Sequence, residues 1–199
     1  MRLDDVQPIQ YGDVLIDCER WPNTLHVIEH PDGRVLVDTG MFESTPEIDA
    51  EFAPRLWPKR IRRDAVCVIN THLHFDHCGG NRLFAGVPLH VQRREREAVR
   101  EPEYLPAWVE FDGATYVEHD GEVEIVPGVR VVPTPGHTVG HQSVLVDTDD
   151  GLVVVGGDVA YTWPDFDAPE NESARMLEAL RPRRIWLAHT ASPRDASTL

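Results

Sequence analysis

Cysteine is scarce in this chain of 199 residues: only Cys18, Cys67 and Cys78 occur. Three thiols give no paired framework, so a disulfide-stapled fold is excluded and a reducing cytoplasm is the expected location. Basic charge is scarce too, with 19 basic against 34 acidic residues and a formal net charge of −15. Lys59 is the only lysine. Such a field repels a phosphate backbone, so no nucleic-acid partner is expected. No apolar run exceeds about six residues, far short of the roughly 20 that a membrane span needs. The start, Met1-Arg2-Leu3-Asp4-Asp5, lacks the apolar core of a secretory leader. Repeats, low-complexity tracts and linkers are missing as well. With 41% hydrophobic residues, 1–199 is expected to form one globular domain with a sizeable core.

Histidine is abundant where it matters. The run Thr71-His72-Leu73-His74-Phe75-Asp76-His77 has the pattern H-x-H-x-D-H. It follows Ala65-Val66-Cys67-Val68-Ile69, a bounded, mostly β-branched apolar run that reads as a buried strand. Ligand-bearing loops at the carboxyl ends of strands are where α/β folds build sites. Three imidazoles and a carboxylate packed this closely have no use in a core. Three further ligand types follow other apolar runs: His137 after Val129–Val132, Asp158 after Leu152–Gly157, and His189 after Arg184–Ala188. Imidazole and carboxylate donors without thiolates suit zinc, with iron, manganese or cobalt as alternatives. Seven ligands exceed one tetrahedral ion and fit two divalent ions, with Asp158 able to bridge. Two adjacent ions can hold a hydroxide and polarise the bond under attack.

The motifs Val35-Leu36-Val37-Asp38-Thr39-Gly40, H-x-H-x-D-H, Pro135-Gly136-His137-Thr138, Gly157-Asp158 and Ala188-His189 resemble those of the metallo-β-lactamase-fold hydrolase superfamily. That resemblance implies an α/β fold, a four-layer αβ/βα sandwich with two mixed sheets and helices on the outer faces. It implies that His72, His74 and His137 bind one ion. Asp76, His77 and His189 bind the other, Asp158 bridges, and Asp38 supports the histidine loop. Within the superfamily, His72–Asn81 and Thr134–Ser143 are most similar to the N-acyl homoserine lactonases. Those enzymes carry a tyrosine three residues after the bridging aspartate, and Tyr161 stands there. A phenol can donate to a developing oxyanion.

The resemblance therefore implies a lactonase acting on a small-molecule ester, with attack by a bridging hydroxide, Tyr161 stabilising the oxyanion and Asp76 passing a proton to the leaving group. Another ester or thioester hydrolase, an iron-dependent redox relative and a non-catalytic metal-binding relative are the alternatives. Class B β-lactamases usually have cysteine at the Asp158 position, and the glyoxalase II segment Gly-Cys-Gly-Arg is missing. Two departures concern the substrate. The stretch from Asp158 to His189 is short, and Thr190 stands where many relatives have aspartate.

Strands are expected at Val14–Cys18, Leu25–Glu29, Val35–Asp38, Ala65–Asn70, Pro88–Gln92, Thr115–Val117, Glu122–Val126, Val129–Pro133, Ser143–Asp147, Leu152–Gly156 and Ile185–Ala188. Asp120-Gly121 and Asp149-Asp150-Gly151 read as hairpin turns. Helices are expected at Pro46–Leu56, His77–Leu83, Arg93–Arg100 and Pro169–Leu180, the last with Met176, Leu177 and Leu180 on one face. The charged run Gln92–Glu97 reads as a solvated helix face. His26, His30, His90 and His119 read as surface or hydrogen-bonded residues, and Cys78 as a small packing residue. Trp21, Phe42, Trp163 and Phe166, with Tyr104, Leu105 and Trp108 of the segment 101–108, are candidates for an apolar pocket wall.

Overall fold

A computed structural model describes residues 1–101 and 104–196. The chain opens with a long hairpin, β1 (Val6–Ile16) and β2 (Glu19–Ile28), joined by Asp17 and Cys18. Both turn residues have positive φ, 47° and 67°, as the mirror-image two-residue turns that fit strand twist require. The expected strand Val14–Cys18 is thus the end of a longer one, and Cys18 belongs to the turn. β3 (Val35–Val37) follows, then α1 (Pro46–Phe52), β4 (Arg55–Leu56), β5 (Cys67–Ile69), α2 (Phe75–Cys78), β6 (Pro88–Gln92), α3 (Arg93–Ala98), α4 (Pro106–Val109) and β7 (Thr115–His119). The second half adds β8 (Val123–Val126), β9 (Val129–Pro133), β10 (Gln142–Thr148), β11 (Gly151–Val155), α5 (Trp163–Phe166), α6 (Glu172–Ala179), β12 (Arg184–Trp186) and β13 (Arg194–Asp195).

The strands form two mixed sheets, ordered β4-β1-β2-β3-β5-β6-β7 and β13-β12-β11-β10-β9-β8. Side-chain alternation assigns the layers. Val35, Val37, Cys67 and Ile69 of the first sheet meet Val129, Val131, Val144, Val146, Val153 and Val155 of the second in one buried layer. The intervening residues point outward. Leu36, Val68 and Leu89 pack with Ile48 of α1 and Trp108 of α4, while Leu145 and Val154 pack with Phe166 of α5 and Ala174 and Leu177 of α6. The result is the expected helix–sheet–sheet–helix sandwich. Each fully buried valine or isoleucine contributes roughly 1.5–3 kcal/mol relative to exposure, so the inter-sheet layer is a large contribution to stability.

Several expected boundaries move. Pro46–Leu56 is helical only to Phe52. Pro54 cannot continue a helix, Ala53 turns left-handed at φ 38°, and Arg55–Leu56 pairs instead with β1. His77–Leu83 is replaced by α2 and a 3-10 turn at Asn81–Phe84, separated by Gly79 and Gly80. A Cβ on Gly80 would lie 2.6 Å from the Thr39 carbonyl oxygen, so glycine allows the histidine loop to seat against the loop after β3. α3 stops at Ala98 rather than Arg100. α6 starts late because Asn171, not a residue near Pro169, accepts the Ala174 N–H at 2.9 Å. Its inner face is Ala174 and Leu177; Met176 and Leu180 are exposed. Asp120-Gly121 is no hairpin: it carries the chain from β7 in one sheet to β8 in the other. Asp149-Asp150 does connect the β10–β11 hairpin.

Candidate metal centre

The two sheets bring their ligand-bearing ends to one edge. β3 and β5 are parallel, and the loops leaving them carry Asp38 and His72–His77. In the second sheet β9, β11 and β12 point the same way, β9 and β11 through the antiparallel β10 between them. Their exit loops carry His137, Asp158 and His189. Gln142 ties the edge together: its N–H donates to Thr71 O at 2.8 Å and its side-chain amide to Asn70 O at 2.8 Å.

All seven expected ligands meet there. His72, His74 and His137 form one group, and Asp76, His77 and His189 another. His72, His77 and Asp158 form a third that links them, and within each group the donor atoms lie within 4.8 Å of one another. His137 Nε2 is 2.9 Å from His74 Nδ1 and 3.2 Å from His72 Nε2. Asp158 reaches both halves, with Oδ2 3.6 Å from His137 Nε2 and 3.2 Å from His189 Nε2, and Oδ1 3.3 Å from His77 Nε2. Asp76 Oδ2 lies 3.7 Å from both His77 Nε2 and His189 Nε2.

The outer partners of the rings fix which nitrogen faces inward. His77 Nδ1 donates to Asp38 Oδ2 at 2.8 Å, and His189 Nδ1 donates to the Pro22 carbonyl at 3.1 Å, because neither partner can donate. Thr71 gives its hydroxyl hydrogen to Asp38 at 2.7 Å, so His72 Nδ1 is the donor in its 3.2 Å contact with that hydroxyl. Nε2 of all three rings is left for the cluster. Carboxylate- and carbonyl-oriented imidazoles of this kind are the usual support of metal-binding histidines. Among the described residues, His77 Nε2 and Asp158 Oδ1 are buried and have no hydrogen-bond partner. Buried polar atoms are rarely left so.

The electrostatics divide the cluster. Burial, helped by the neighbouring histidines, holds His72 and His137 below the ordinary imidazole pKa, so both present lone pairs. At His77 burial opposes charge, but Asp158, Asp76 and Asp38 outweigh it and the pKa is raised; Asp158 and Asp76 do the same at His189. Burial also opposes the charge on Asp158, yet His189 and His77 hold its carboxyl well below the ordinary range. A site that favours positive charge between carboxylates and is lined by inward nitrogens suits a divalent cation.

Two residues that work here escape the motif. His141 is fully buried; its Nε2 accepts the Asp158 N–H at 3.0 Å and its Nδ1 faces the Thr134 carbonyl at 3.1 Å. Both nitrogens are used, so His141 fixes the Asp158 backbone and has no lone pair for an ion. Glu95 lies in the run read as solvated, but it is 0% exposed. Only Arg93, Arg94 and Glu97 of that run face solvent. Cys78 packs with Leu73 and Val91, as expected.

Of the other histidines, His30 is hydrogen-bonded to the Pro127 carbonyl at 2.9 Å, and His90 and His119 contact each other at 2.9 Å. His26 departs from expectation: it is 2% exposed, its Nε2 has no partner among the described residues, and burial lowers its pKa to about 3.

A cavity of about 590 Å³ opens onto the cluster. His74, Asp76, His137, Asp158, Tyr161 and His189 form its floor. Of the expected aromatic wall, Trp21 and Leu105 line it. Phe42 instead lies under the Arg82 guanidinium, Trp108 is buried under the first sheet, Tyr104 is buried with its hydroxyl on Glu95, and Trp163 and Phe166 pack on the second sheet's outer side. Pro102 and Glu103 of the segment 101–108 lie outside the described residues. Val14, Ile16, Ile48, Phe52 and Phe75 supply the apolar wall. Tyr161 stacks edge-on against Trp21 at 5.9 Å, and its hydroxyl is 2.9 Å from His137 Nδ1. Burial first, then Asp158 and Asp76, raise its pKa, so the phenol remains a proton donor at neutral pH. A larger cavity of about 670 Å³ beside Arg93, Arg96 and Glu118 shares no residue with the cluster.

The model of the metallo-beta-lactamase superfamily matches residues 19–192. An N-acyl homoserine lactonase of Bacillus cereus is 36% identical over 168 residues, covering 73% of this chain and 67% of that protein. The N-acyl homoserine lactonase AiiA of Bacillus thuringiensis subsp. kurstaki is 34% identical over the same shares. The structure also superposes on an N-acyl homoserine lactone hydrolase with N-hexanoyl-L-homoserine bound at its catalytic metal centre. The TM-score is 0.81 and the identity 26%, over 95% of this chain and 94% of that one. The chain belongs to the metallo-β-lactamase superfamily.

Proposed function

We propose that this member of the superfamily is a lactonase: a dinuclear metal-dependent hydrolase that opens a lactone ring of the N-acyl homoserine lactone type. The observation that carries the reading is the convergence of seven donor residues, Asp158 among them, beneath an apolar cavity that holds Tyr161. The B. cereus and B. thuringiensis lactonases and the product-bound hydrolase support the substrate class.

In this reading His72, His74 and His137 hold one ion, Asp76, His77 and His189 hold the second, and Asp158 serves both. The imidazole and carboxylate set favours zinc, with iron, manganese and cobalt as alternatives. Two such ions supply a hydroxide at neutral pH and a Lewis acid for the ester carbonyl. The chain's own residues do the rest. Val14, Ile16, Phe52 and Phe75 hold an acyl group and exclude water. Tyr161 can accept from His137 Nδ1 and turn its own O–H toward the carbonyl oxygen, where negative charge develops. Asp76 lies at the junction of cluster and cavity, placed to pass a proton to the leaving alkoxide. Its backbone is pinned by the Tyr11 hydroxyl, which donates to the Asp76 carbonyl.

A small neutral ester suits a chain of net charge −15 better than a polyanion does. A cytoplasmic location fits three free cysteines. Among the described residues no helix is long and apolar enough to cross a membrane. The test is elemental analysis of purified protein followed by a panel of N-acyl homoserine lactones, simple esters, thioesters and β-lactams. Faster turnover of thioesters or β-lactams than of any lactone would overturn the substrate class.

A further inference from the structure

Glu95 stands outside every ligand motif, yet its carboxylate touches the supports of all three residues in one half of the metal centre. Oε1 accepts the backbone N–H of Leu73 at 2.9 Å, and Leu73 lies between His72 and His74. The same oxygen accepts the Tyr104 hydroxyl at 2.9 Å, and the Tyr104 ring packs 5.0 Å from the His74 ring. Oε2 accepts the Thr138 hydroxyl at 2.6 Å, and Thr138 follows His137. Two loops from different sheets are thus joined by one side chain on α3. Gly140 makes the approach possible: a Cβ there would run into the backbone nitrogen and Cα of Glu95. Among the described residues no hydrogen bond links Glu95 to the other half, where Asp38 and the Pro22 carbonyl orient His77 and His189.

We propose that Glu95 is a positioning residue that sets the separation of the His72/His74 loop from the His137 loop, and so the metal affinity of that half alone. This rests on the two-ion reading above. A buried carboxylate offers enough acceptor sites for three donors; an amide in its place has one oxygen and presents N–H groups to the rest. Losing an outer partner of a ligand set typically costs about 10- to 100-fold in metal affinity.

The two halves can be measured separately with cobalt(II), whose visible spectrum reports coordination. In a His77→Ala background only the His72/His74/His137 half can bind, and in a His137→Ala background the other half is read. Adding Glu95→Gln should weaken cobalt(II) binding about 10-fold or more in the first background and change its ligand-field bands, with little effect in the second. Thr138→Val removes one leg without touching Glu95, so it should give a smaller loss of the same selectivity and guards against a Glu95 variant that fails to fold. Unchanged affinity in the first background, or equal loss in both, would overturn the proposal. Absence of cobalt(II) binding by the unmodified chain would overturn it together with the two-ion reading, which separates the two failures.

Discussion

The Tyr161 hydroxyl lies 2.9 Å from His137 Nδ1, so the residue proposed to act on substrate is bonded to a residue proposed to hold metal. Removing the hydroxyl therefore tests two roles at once, and they separate by readout. Tyr161→Phe keeps the ring against Trp21 and His137. If the phenol stabilises the oxyanion, kcat/KM on the best lactone should fall roughly 10- to 100-fold with metal content unchanged. Metal analysis and steady-state kinetics on one preparation decide it. A variant that loses metal instead would make Tyr161 a support of His137, and wild-type kcat/KM would make it only a wall.

Metal stoichiometry follows from the way Asp158 joins the two halves. The fully loaded chain should carry close to two ions, and His77→Ala about one. Asp158→Ala should lower content at both positions and abolish turnover, because its Oδ2 reaches His137 of one half and His189 of the other. A loaded wild type with one ion and full activity would refute the dinuclear scheme.

Asp38 offers a cleaner test of orientation. Its carboxylate accepts the Thr71 N–H at 2.7 Å, the Thr71 hydroxyl at 2.7 Å and His77 Nδ1 at 2.8 Å. Its backbone is left-handed at φ 63°, a conformation asparagine tolerates. Asp38→Asn thus removes acceptor capacity without straining the chain. Metal affinity of the His77 half should drop about 10- to 100-fold, measured by competition with a chelator of known affinity. Unaltered affinity would show that the ring is held without Asp38.

The convergence of the seven candidate ligands was legible in sequence because each follows a buried strand, and buried strands announce themselves as short continuous apolar runs. Asp38 was legible for the same reason. The pocket wall was not. Val14, Ile16, Phe52 and Phe75 come from distant segments, and only sheet order brings them to one cavity. Aromatic content pointed instead to Trp163 and Phe166, which the second sheet needs for its outer layer. Glu95 was hidden because Gln92–Glu97 has the alternating charges of a solvated face; burial of one carboxylate leaves no mark on such a pattern. His141 was hidden by its spacing to His137, which suits a ligand as well as a support.

His26 makes the fold itself pH-sensitive. It is buried in the layer between the sheets, its ring 5.4 Å from that of Trp186, and burial lowers its pKa to about 3. The unfolded chain titrates this ring near 6.5, so below that pH the unfolded state binds a proton the folded state refuses. Stability should therefore be intact above about pH 6.5 and be lost progressively as the pH falls toward 3. The loss from this one group is roughly 2 kcal/mol between pH 7 and pH 5. His26→Phe keeps a ring beside Trp186 and removes the titration. Urea melts of wild type and variant, both with metal removed by chelator, should converge or cross as pH is lowered, the variant losing less. Parallel curves from pH 7 to pH 5 would mean that His26 takes up its proton in the folded state, through an opening of the inter-sheet layer.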